Sequence, residues 1–190
     1  MNYYTHLARL ATETFVRTKK TITPPPDCPS SFLSQRSGVF VTIEKNHQLR
    51  GCIGTYLPTK DNIAQEIIFS AIKAAVSDPR FSPVQVKELP QLSYEVSLLN
   101  PPQPVKDIKE LNTKEYGIIV QDVSGRTGLL LPDLEEVDTA LQQIAIACQK
   151  AGIDSLTQDI SLSKFKVRKY SEEDDQTEEN STKTKENKKD

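Results

Sequence analysis

Hydrophobic positions along this chain alternate between a helical and an extended period, and each switch marks an element. Over residues 2–20, Tyr4, Leu7, Leu10, Ala11, Thr14 and Phe15 recur at helical spacing, which predicts an amphipathic helix with one face on a sheet. Thr23-Pro24-Pro25-Pro26-Asp27 blocks further helix, so residues 21–36 are expected to form a surface connection with Cys28 inside it. Residues 38–44 read as a strand, Lys45-Asn46-His47 as a turn and residues 48–53 as a returning strand. Asp61 is the expected cap of an apolar helix over 62–76 carrying Ile63, Ala64, Ile67, Ile68, Ile72 and Ala75. Asp78-Pro79 ends that helix, because the residue before proline is pushed out of the α region.

Residues 93–99 read as a strand with Tyr94, Val96 and Leu98 on one face and Glu95 and Ser97 on the other, stopped by Asn100-Pro101-Pro102. Ile118-Ile119-Val120 and residues 127–131, around the turn Ser124-Gly125-Arg126, predict a second hairpin. Asp133 with Glu136 three residues later reads as a capping box for a helix with Val137, Leu141, Ile144 and Cys148 on one face, stopped at Gly152. Residues 163–170 alternate as an edge strand with lysines and arginine outward. The expectation is an α+β domain over residues 1–170, a mostly antiparallel sheet built from hairpins with packed helices. Residues 171–190 are charged and small, and are expected to be a disordered tail.

Composition narrows the options. A chain of 190 residues has room for one domain of common size and a single sizeable core. Its 36% hydrophobic content lacks any run of the roughly 18 apolar residues a membrane span needs. The start, Met1-Asn2-Tyr3-Tyr4-Thr5-His6, lacks the pattern of a secretory signal, so cytoplasm is the default compartment. Three dispersed cysteines, Cys28, Cys52 and Cys148, form neither a disulfide framework nor, with His6 and His47, a closed metal site. The residues imply no metal and no cofactor. Net charge is −2, but the last twenty residues carry eight acids against four lysines, leaving 20 basic and 18 acidic residues in the body. That balance argues against a dedicated nucleic-acid binder and leaves RNA as a third option only.

One segment breaks the packing pattern. Leu49-Arg50-Gly51-Cys52-Ile53-Gly54 places a thiol and a guanidinium among glycines inside a strand. Glycine weakens a strand unless a turn, a bulge or a close approach requires it. On a period of two, Arg50, Cys52 and Gly54 share a face, with thiol and guanidinium projecting to one side. Two chemistries fit. Arg50 could favour the thiolate of Cys52 as a catalytic nucleophile, though no partner base stands in the motif. Alternatively, backbone exposed at Gly51 and Gly54 together with Arg50 could bind an anion, joined by Arg80 and Arg126 if the three converge. Against these stand plain readings: a small strand cysteine, surface arginines, and an Arg80 salt bridge to Asp78. Glu95 lacks a second carboxylate at a useful spacing, and Gly125-Arg126-Thr127-Gly128 is no phosphate loop.

Leu49 to Gly54 resembles the signature of the AMMECR-type domain family. Further matches follow in order: Ser77-Asp78-Pro79-Arg80-Phe81, the strand from Glu95-Val96-Ser97 to Pro101-Pro102, and Gly125-Arg126-Thr127-Gly128-Leu129-Leu130-Leu131-Pro132. The resemblance implies an intracellular α+β domain without an agreed biochemical activity. It also implies a pathway shared with Memo-like and radical S-adenosylmethionine proteins, in which this chain binds a small anionic molecule or modified group as accessory or enzyme component. The alternative is a non-catalytic interaction module. Family members often carry tryptophan in the last third, whereas this chain has none.

Overall fold

The computed structural model describes residues 2–154 and 159–172. Helix α1 (Tyr3–Thr18) is capped by the Asn2 side chain on the Thr5 amide and ends at Lys19 in the left-handed region. The proline-rich connection is less exposed than expected. Its short helix α2 (Ser30–Ser34) buries Phe32 between Tyr3 and Tyr4, and Cys28 is buried as well. Strands β1 (Gly38–Lys45) and β2 (Gln48–Thr55) form the first hairpin, its tight turn using positive φ at Asn46 and His47. Helix α3 (Ile63–Val76) follows, capped by Asn62 instead of Asp61. Strand β3 (Leu92–Leu99) comes next, and β4 is the dipeptide Gln103–Pro104. Strands β5 (Gly117–Asp122) and β6 (Thr127–Leu130) form the second hairpin.

The last helix starts later than the capping-box reading. Asp133 and Glu136 take positive φ, and α4 (Ala140–Ala151) is capped by Thr139, whose amide is bonded in return by Gln142. Leu141 is therefore 70% exposed, while Ile144 and Cys148 are buried and Gly152 caps the C-terminus as expected. The expected strand over 163–170 is divided at Lys166. Strand β7 (Ile160–Phe165) pairs between β4 and β5, and β8 (Val167–Ser171) lies at an edge of the other sheet.

Two sheets result, ordered β2-β1-β3-β8 and β4-β7-β5-β6. Where one core was expected, the described residues form two compact units: residues 2–98 with 168–172, and residues 99–154 with 159–167. Each has its own core, Leu7, Val41, Ile67 and Val96 belonging to the first and Ile118, Val120, Ile144 and Cys148 to the second. The same plan recurs in both. A hairpin, a helix and a third strand follow one another, with the first hairpin strand in the middle of the three. The tail boundary also shifts, since Ser171 ends β8 and Glu172 holds Arg9 with both oxygens. The rest of the expected tail, 173–190, lies outside the described residues.

Candidate functional site

The hairpin register explains the motif. Val39, Val41 and Ile43 are fully buried on one face of β1, opposite Thr55, Ile53 and Gly51 of β2. After that pair the register slips, Glu44 facing Leu49, so Arg50 is the extra residue of a β-bulge. A Cβ on Gly51 would lie 2.2 Å from the Ala74 carbonyl oxygen of α3. The glycine is thus needed where helix backbone meets strand backbone. A Cβ on Gly54 would lie 2.1 Å from the Val39 carbonyl oxygen and 2.6 Å from the Phe40 ring. Both glycines were expected to leave backbone bare for a ligand, but the atoms that approach them belong to this chain.

The bulge also interrupts the alternation from which thiol and guanidinium were expected to share a side. Cys52 alternates with Gly51 and so points away from α3, opposite Thr42, whose hydroxyl donates to Sγ at 3.3 Å. Arg50 turns to Glu88, in the 3₁₀ segment Val86–Gln91. Its Nε donates to Oε1 and its Nη2 to Oε2, both at 3.1 Å. Lys45 shares Oε1, and the Gln85 amide donates to Oε2. The Arg50 and Glu88 side chains are each 12% exposed. The bonds from Arg50 hold the Glu88 carboxyl down to about 2, against the opposing effect of burial.

Asp78 and Arg80 close the free edge of β2, which among the described strands has only β1 as a neighbour. The Cys52 amide donates to Asp78 Oδ2 at 2.8 Å, and Arg80 Nη2 reaches the Cys52 carbonyl at 3.5 Å. Asp78 is itself gripped by Arg80, Nε to Oδ1 at 3.0 Å and Nη2 to Oδ2 at 2.8 Å. Those bonds, led by the Arg80 side chain, keep the Asp78 carboxyl well below the usual carboxylate range. Asp78 is 2% exposed and Arg80 53%. The Arg50 and Arg80 guanidinium carbons stand 5.8 and 5.5 Å from the Phe81 ring centroid. Arg50 and Arg80 therefore flank one ring, and Arg80 also makes the Asp78 salt bridge of the plain reading. Arg126 belongs to the second unit, where it binds Asp122 and the Gly152 carbonyl. Glu95 is half-buried beside Lys169 at 3.6 Å.

Sequence reasoning missed Glu88 and Glu66. Glu88 stands three residues after Gln85, whose amide it accepts, and that spacing is a readable signal. Glu66 is fully buried in α3, in what reads as part of the apolar face. It accepts from the Thr59 and Lys60 amides and from the Thr55 and Thr59 hydroxyls. Among the described residues no three His, Cys, Asp or Glu side chains gather as a metal cluster, and no helix is long and apolar enough to cross a membrane.

Comparison with known proteins agrees with the family resemblance. A protein of Thermotoga maritima is 50% identical over 160 residues, covering 83% of this chain and 91% of its own length. Protein CA_C1420 of Clostridium acetobutylicum is 41% identical over 170 residues. The match covers 89% of this chain and only 36% of that longer relative. The crystal structure of the uncharacterized protein PH0010 from Pyrococcus horikoshii superimposes with a TM-score of 0.80 at 34% identity, covering 90% of both chains. Residues 5–173, spanning both units, match the AMMECR1 family model, and the chain belongs to that family.

Proposed function

We propose that this domain is a binding component in which Arg80, presented by the Leu49–Gly54 strand, meets an anionic group on a small molecule or modified partner. One observation carries the reading: Arg80 is 53% exposed, yet its orientation is fixed by both oxygens of a buried carboxylate. Its Nη1 has no partner among the described residues, so one edge of a preorganised guanidinium faces outward. Asp78 offsets part of the charge. Nearby, however, Lys45 and Arg50 share the single carboxylate of Glu88, so the group as a whole carries three cations against two anions. Gly51 and Gly54 serve by holding β2 in place, and Arg50 by fixing the bulge. Cys52 contributes its backbone to the Asp78–Arg80 clasp, and its thiol is not needed for recognition. In the pathway the resemblance implies, such a component would serve a Memo-like or radical S-adenosylmethionine partner.

Calorimetric titration with inorganic phosphate and with citrate tests this reading. Wild type and Cys52→Ser are expected to bind alike, and Arg80→Ala to lose binding. Loss in Cys52→Ser with retention in Arg80→Ala would return the role to the thiol.

A further inference from the structure

A cavity of about 540 Å³ lies in the first unit on the side of α3 turned away from β2. Gln65, Ile68, Phe69, Ile72, Lys73 and Val76 line it from α3, on the arc opposite Ala74, and Phe15 lines it from α1. Its size and apolar wall suit a small organic molecule. Phe69 is 36% exposed there, a large aromatic face left in solvent.

The charge around this wall has one sign. The Lys60 and Lys73 ammonium groups stand 3.9 and 5.8 Å from the Phe69 ring centroid, and that of Lys19 stands 5.9 Å from Phe15. None of the described residues that line the cavity is acidic. Among the described residues, none of the three lysines has a carboxylate partner, in contrast to Lys45, Lys164 and Lys166. Three uncompensated cations beside two aromatic faces attract a ligand with an apolar body and a negative end.

We propose that this cleft between α1 and α3 binds a small apolar molecule carrying one anionic group, the body resting on Phe15, Phe69 and Ile72 and the anion held by Lys60 and Lys73. The site is separate from Arg80. Octanoate is the probe, with octanamide as its neutral counterpart, followed by the shifts of α3 backbone amide resonances in the full chain.

Octanoate is expected to shift Ile68 to Ser77 saturably and to bind more tightly than octanamide. Replacing both Lys60 and Lys73 by Gln is expected to weaken octanoate about tenfold, at the level of two partly exposed charge pairs. Gln65→Trp, which fills the cleft from a half-buried position, is expected to abolish binding. Arg80→Ala should leave octanoate binding unchanged, and inorganic phosphate, lacking an apolar body, should not displace it. Equal affinity for octanoate and octanamide, displacement by phosphate, or a folded lysine double variant that binds as wild type would each overturn the assignment. So would self-association as the sole cause of the shifts.

Discussion

Gly51 has room for a hydrogen and nothing larger, because the Ala74 carbonyl occupies the place of its missing side chain. Both neighbours are backbone, so relief requires moving a helix against a strand. Gly51→Ala is therefore expected to cost roughly 1 to 3 kcal/mol, seen as a lower urea midpoint at unchanged slope. Gly125, by contrast, has open space around it, and a substitution there meets only the strain of its positive φ. Glu88 gives the first unit a pH signature. Its carboxyl is held down to about 2 from an ordinary 4.5, chiefly by Arg50. The unfolded chain thus takes up the proton first. The contribution is complete above about 4.5 and disappears as pH falls toward about 2. Glu88→Gln is expected to flatten that limb of the stability curve, read as urea midpoints of both proteins across the same pH range. A mutant curve parallel to wild type would show that the Arg50–Glu88 contact does not persist in solution.

Helix α3 does three jobs at once, and only one is visible in its apolar spacing. One arc buries Ala64, Ile67, Ala71 and Ala74, and another lines the cleft. Between them Glu66 ties down the stretch from Thr55 to Lys60 with four donors. Glu66→Gln turns one acceptor oxygen into a donor facing those same donors. The expected loss is about 1 to 3 kcal/mol, with faster amide hydrogen exchange at Thr59 and Lys60 before other sites. The elements themselves were largely legible: α1, α3 and both hairpins follow from period and turn chemistry. The start of α4 was not, because Thr139 with Gln142 competes with Asp133 and Glu136 for the same signature, and spacing alone does not rank them. Nor was the bulge at Arg50, since alternation assumes an unbroken register. That slip removes the unbroken register from which the pairing of thiol and guanidinium was argued. The division of the last strand was hidden for a related reason: alternation names a strand's faces, not the sheet it joins.

The molecule uses one packing device twice. Gly128 of β6 meets the Ala147 carbonyl of α4 as Gly51 of β2 meets the Ala74 carbonyl of α3. With the shared strand order, this makes the two glycine-bearing motifs internal counterparts, each seating a helix on its own hairpin. Gly128→Ala is expected to release the amides of β5, β6 and β7 in hydrogen exchange while β1 and β2 keep more of their protection. Uniform loss over both sheets would show that the cores unfold as one. The glycines therefore belong to folding, and the proposed recognition rests on the half-exposed Arg80 beside Cys52. Urea unfolding with and without excess inorganic phosphate tests that division most directly, because a ligand bound only by the folded state raises the midpoint. Phosphate is expected to raise it equally in wild type and in the less stable Gly51→Ala, and not in Arg80→Ala. An unchanged increment in Arg80→Ala, or one lost in Gly51→Ala while that protein remains folded, would contradict it.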